Sequence, residues 1–111
     1  MDRNLLIEEI LAVYQKHGWK LQRVLMRPET RRGLVRDLDM NFEGMRIDEG
    51  PVDALWFSRR SHNNREAWEL RLLSETPYAL FETFEADAPE GLREETRKTL
   101  EARLHEYVSR G

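Results

Sequence analysis

At the start of the chain apolar side chains recur every three or four positions. Leu6, Ile7, Ile10, Leu11, Val13 and Tyr14 fall on one side, with Glu8, Glu9, Gln15 and Lys16 on the other. The spacing predicts a helix over 4–17, begun by Asp2 or Asn4 as cap. His17-Gly18 stops it, because glycine accepts the left-handed conformation of a helix end. Residues 19–26 are rich in Trp, Leu and Val and read as a strand, closed by Arg27-Pro28 since proline has no N–H for a ladder. From 27 to 51 the pattern dissolves into charges and scattered apolar residues. An irregular or partly ordered connection is expected there, with a helical turn near 29–37 and a short strand near 42–47.

Beyond Val52 three strands are predicted, at 53–60, 65–73 and 78–86. Their turns are Ser61-His62-Asn63-Asn64 and Ser74-Glu75-Thr76-Pro77. A last helix is expected over 88–109, capped by Asp87, with Glu90 three positions on. Its apolar stripe is Leu92, Thr96, Leu100, Leu104, Tyr107 and Val108. The expected fold is a single α+β domain over 1–111. It has two layers: an antiparallel meander sheet of about four strands, with the N- and C-terminal amphipathic helices packed on one face.

Direct four-residue turns would set Phe57 opposite Trp68 and Leu70 opposite Phe81. One face then collects Leu55, Phe57, Trp68, Leu70, Leu72, Ala79 and Phe81 as core. The other carries Trp56, Glu69, Arg71, Tyr78, Leu80, Glu82 and Phe84. Large apolar groups on a face expected to meet water mark an association or binding surface.

Composition narrows the chemistry. The 111 residues include 18 Lys+Arg and 21 Asp+Glu, a net charge of −3, whereas a dedicated nucleic-acid binder is usually basic overall. Zero cysteines exclude disulfides, thiol catalysis and cysteine-ligated metals. No apolar run is long enough to cross a bilayer, and Met1-Asp2-Arg3-Asn4 has no basic leader pattern, so a cytoplasmic location is expected. His17, His62 and His105 show no H-E-x-x-H spacing. Asp37-Leu38-Asp39-Met40-Asn41 opens like a calcium loop, but Phe42 stands where the required glycine belongs. No catalytic residues, cofactor or metal are therefore expected.

The reading that results is a small non-enzymatic interaction or regulatory domain, acting as a homodimer through the face bearing Trp56, Tyr78, Leu80 and Phe84. The alternative is a small-molecule-binding protein or enzyme, with Glu69, Arg71 and Glu82 as polar groups of a pocket closed by 27–51. A third class, trailing both, is an anionic or nucleic-acid partner held by the arginines between 23 and 36 (Arg23, Arg27, Arg31, Arg32, Arg36).

Overall fold

The computed structural model describes residues 2–110. The first helix, α1 (Arg3–Lys16), is capped by the Asp2 carboxylate, which accepts from the Asn4 N–H. It ends where Gly18 turns to φ 84°, and the Trp19 N–H closes back on the Tyr14 carbonyl at 2.9 Å. β1 (Lys20–Met26) follows. The illegible stretch resolves into α2 (Pro28–Arg32), α3 (Arg36–Asn41) and β2 (Arg46–Glu49). Proline starts α2, where its missing N–H is no loss. Then come β3 (Ala54–Ser61), β4 (Arg65–Leu72), β5 (Ala79–Glu85) and the long α4 (Glu90–Arg110). That last helix begins at Glu90, so Asp87 lies upstream of its start rather than capping it.

The class is α+β with N- and C-terminal helices, as the pattern predicts, but the sheet is mixed and five-stranded. Its order is β2-β1-β3-β4-β5, with β1 and β2 parallel and the other pairs antiparallel. The fifth strand, β2, is the short strand expected near 42–47, formed slightly later at Arg46–Glu49 and paired parallel to β1 rather than within an antiparallel meander. A parallel pair needs a crossover, and α2 and α3 provide it.

The expectation that both helices share one face is corrected. Ile7, Ile10 and Leu11 of α1 pack with Leu55 and Phe57, and with Leu38 and Phe42 of α3. Leu100 and Leu104 of α4 pack with Ala54, Trp56, Trp68, Leu70 and Phe84. Leu55 and Phe57 alternate with Ala54 and Trp56 along β3, so the helices cover opposite faces. Both faces of β3 are apolar, and a central strand covered on both sides is what that composition describes.

The register is also corrected. Ser61 pairs with Arg65, so the β3–β4 loop has three residues, His62, Asn63 and Asn64, instead of four. Asn63 and Asn64 both take φ 58°, which asparagine tolerates. Phe57 therefore faces Glu69, and Trp56 faces Leu70. The β4–β5 pairing is shifted by one as well, with Leu70 opposite Leu80. Together the two shifts displace β5 by two residues relative to β3, which keeps its faces as expected and leaves β4 alone inverted.

Candidate functional site

The inversion of β4 decides where the candidate residues go. Trp56 is 0% exposed beneath α4, its indole N–H donating to Glu101 at 2.8 Å. Phe84 is buried beside it, and Leu80 and Tyr78 are half covered, Tyr78 stacked on Tyr107 of α4 with ring centroids 3.6 Å apart. Glu82 lies opposite Trp68 on that same face. The surface expected to mediate association is thus occupied by the protein's own C-terminal helix. Glu69 and Arg71 point the other way, into a groove between α1 and β4. The pocket expected from Glu69, Arg71 and Glu82 is corrected accordingly: Glu82 is absent from it, and its wall is α1 rather than residues 27–51.

The groove has a volume of about 600 Å³. Leu6, Ile10 and Val13 form its α1 wall, spaced for one helix face. On the floor the Tyr14 hydroxyl donates to the Glu69 carboxylate. Tyr14 itself stacks on Phe57 at 4.1 Å and meets the Trp19 ring edge-on. Burial first, then the Glu69 bond and its negative charge, push the Tyr14 phenol well above its ordinary value of 10.0. The phenol stays protonated in neutral solution and is a donor, not a base.

The two cations of the groove are tied to the chain. Arg59 lies over the Trp19 ring at 4.3 Å and donates to the His17 carbonyl at 2.8 Å. Arg71 donates to the carbonyls of Leu72 and Ser74. Among the described residues, Glu69 has one hydrogen-bond partner, Tyr14, and no cation within ion-pair reach. A carboxylate offers about four lone-pair positions, so most of this one remains open toward the groove. Glu9 and Glu75 add two further carboxylates to the lining.

Tyr14, Trp19 and Arg59 were not singled out by the sequence. Tyr14 sits on the apolar stripe of α1 and reads there as core, and only its meeting with β4 gives its hydroxyl a role. Of the arginines between 23 and 36, Arg31, Arg32 and Arg36 are exposed, and the other two are held in ion pairs. Arg23 pairs with Glu94 of α4 at 2.7 Å, while Arg27 pairs with Asp53 at 3.3 Å and Glu29 at 3.8 Å. Asp37, Asp39 and Asn41 lie on α3, not on a loop. Among the described residues no three His, Asp or Glu side chains converge as metal ligands would. No helix among them is long and apolar enough to cross a membrane. No family model, curated protein or solved structure matches this chain.

Proposed function

We propose that the protein is a small binding domain whose ligand site is the groove between α1 and β4. The ligand class is an amphipathic organic cation, an amine with an apolar body. One observation carries this reading: among the described residues the Glu69 carboxylate opens into the groove with Tyr14 as its hydrogen-bond donor and no guanidinium bonded to it. Arg59 and Arg71 keep their charges but direct their donors at backbone carbonyls and at Trp19, and the three carboxylates of the lining, Glu9, Glu69 and Glu75, outnumber the two guanidiniums. An ammonium group meeting Glu69 would leave its alkyl or aryl body against Leu6, Ile10 and Val13, desolvating the ion pair and apolar surface together. A protonated tyrosine, a carboxylate and an anchored arginine can hold such a molecule but include no activated nucleophile, so the proposal is binding without turnover. A homodimer remains part of the reading, by a surface other than the one α4 covers.

The test is thermal unfolding with hexylamine, benzylamine and, as a charge control, hexanoate. The amines should raise the melting temperature and hexanoate should not, and Glu69→Gln should abolish the rise while leaving the ligand-free melting temperature near that of the parent. Equal stabilisation by hexanoate, or an amine response that survives in Glu69→Gln, would contradict the proposal.

A further inference from the structure

The two edges of the sheet differ in how they end. β2 has four residues and runs into Gly50-Pro51, a short edge of the kind that resists pairing with another chain. β5 has seven residues, Ala79–Glu85, with no lysine, no proline and an unbroken register against β4. None of the usual protections against edge pairing is present there, apart from two glutamates.

The hydrogen-bond phase of that edge follows from its ends. The Leu72 N–H donates to the Tyr78 carbonyl at 3.0 Å, and the Ala86 N–H donates to the Asn64 carbonyl at 3.2 Å. In an antiparallel ladder such bonded positions alternate. Tyr78, Leu80, Glu82, Phe84 and Ala86 therefore turn their backbone groups inward to β4, while Ala79, Phe81, Thr83 and Glu85 turn theirs outward. Those of Ala79 and Phe81 are open, whereas the Thr83 N–H donates to the Glu82 carboxylate at 3.0 Å, the Thr83 carbonyl accepts from Arg65 at 3.4 Å and the Glu85 carbonyl accepts from Ala88 and Arg93. The side chains of Ala79, Phe81 and Thr83 lie on the α1 face, since Phe81 is opposite Glu69 and Glu69 opposite Phe57. No residue of β5 belongs to the α1-side core, and Phe81 stands 57% exposed.

We infer that β5 pairs antiparallel with β5 of a second copy about a two-fold axis at Phe81, making one continuous ten-stranded sheet from two five-stranded ones. This specifies the dimer named in the proposed function and is independent of what the groove binds. With Phe81 opposite its symmetry mate, Ala79 falls opposite Thr83; the outward N–H and C=O of Ala79 and Phe81 gain partners, and Thr83 exchanges its bonds to the Glu82 and Arg65 side chains for ladder bonds. Glu82 then faces Leu80, and Glu85 faces Pro77, which has no N–H to leave unpaired, so the ladder ends there. A register with the axis moved one residue, to Glu82, would put Phe81 opposite Thr83 and bring Glu82 against Glu82. One centred on Thr83 would set Glu85 against Phe81. Only the Phe81-centred register buries the two exposed rings against each other without opposing like charges. It also joins the uncovered β4–β5 surfaces of both copies into one floor bounded by the two α1 helices, so the two grooves open onto a shared surface.

Light scattering coupled to size-exclusion chromatography, on the whole chain at tens of micromolar, reads this directly. The parent should run at twice the chain mass of 13.3 kDa. Phe81→Lys, which sets two cations opposite each other, and Thr83→Pro, which removes one outward N–H and the Arg65–Thr83 side-chain bond but none of the β4–β5 backbone bonds, should each run at the single-chain mass with unchanged circular dichroism. If one variant fails to fold, the other supplies the reading. A monomeric parent overturns both the dimer and its interface. A dimeric parent whose folded variants remain dimeric overturns the β5 interface alone. Neither outcome touches amine binding, which the melting experiment reads separately.

Discussion

Trp56 shows how much one side chain's assignment depends on its neighbours. On the predicted outer face, a charged replacement would disturb association and spare the fold. Placed at 0% exposure between the sheet and α4, with its N–H on Glu101, it is part of the core that holds the helix down. Trp56→Ala should cost about 3–5 kcal/mol, and Trp56→Glu should prevent folding at ordinary temperatures; urea unfolding of the two variants checks this. Asp53 is a second anchor invisible in the pattern. Its buried carboxylate accepts from the Arg27 N–H at 2.8 Å, the Thr30 hydroxyl at 2.7 Å and the Arg3 guanidinium at 2.6 Å. Asp53→Ala orphans a backbone donor and a buried hydroxyl, and should lose about 2–3 kcal/mol in the same experiment. Tyr14 belongs to this scale too. It should ionise well above its ordinary value of 10.0 in an ultraviolet absorbance titration, and Glu69→Gln should lower it toward that value. A raised phenol pKa stabilises the fold below pH 10.0, and that contribution is lost as pH rises through the folded value.

At the scale of elements, charge ties the long helix to the far side of the sheet. Glu94 of α4 accepts from Arg23 of β1 at 2.7 Å and from Arg97 at 3.1 Å. Arg97, 1% exposed, also bonds Glu90 and lies 4.5 Å from the centre of the Trp68 ring. Desolvation alone would raise the Glu94 carboxyl, but the bonds to Arg23 and Arg97 and their charges prevail and bring it from 4.5 to about 2. A depressed carboxylate stabilises above its unfolded pKa, so this contribution is present at neutral pH and lost as pH falls from 4.5 toward 2. Thermal unfolding across that window should show a decline that Glu94→Gln flattens. Arg23 reaches Glu94 only because of an irregularity in β1. Leu21 pairs with Phe57 and Arg23 with Trp56, so the extra residue, Gln22, turns the later strand over. That bulge puts Val24 and Met26, rather than Arg23 and Leu25, on the α1 face. Periodicity carried the terminal helices and four of the strands, whose apolar stripes are long enough to read. It did not carry the bulge or the three-residue His62-Asn63-Asn64 loop, because each depends on a single inserted or missing residue, and it set the short strand near 42–47, ahead of β2 at Arg46–Glu49. The short loop and the shifted β4–β5 pairing place Glu69 and Arg71 on the α1 face and leave Glu82 on the other.

For the whole molecule, the two helices are offset as well as opposed. α1 covers the side of the sheet that carries β1 and β3, and α4 packs against β4 and β5 on the other face. Each domain is therefore left with an uncovered β4–β5 surface beside α1, where the exposed Phe81 and the open carboxylate of Glu69 both lie. Ligand binding and self-association are assigned to adjoining parts of that one surface. The most direct measurement of the central claim is an amide NMR titration of the protein with hexylamine. Saturable shifts confined to Leu6, Ile10, Val13 and the Glu69–Arg71 segment, absent in Glu69→Gln, are the result expected of an amine seated between α1 and β4. Shifts that fail to saturate, scatter over the surface, or persist unchanged in Glu69→Gln would contradict it.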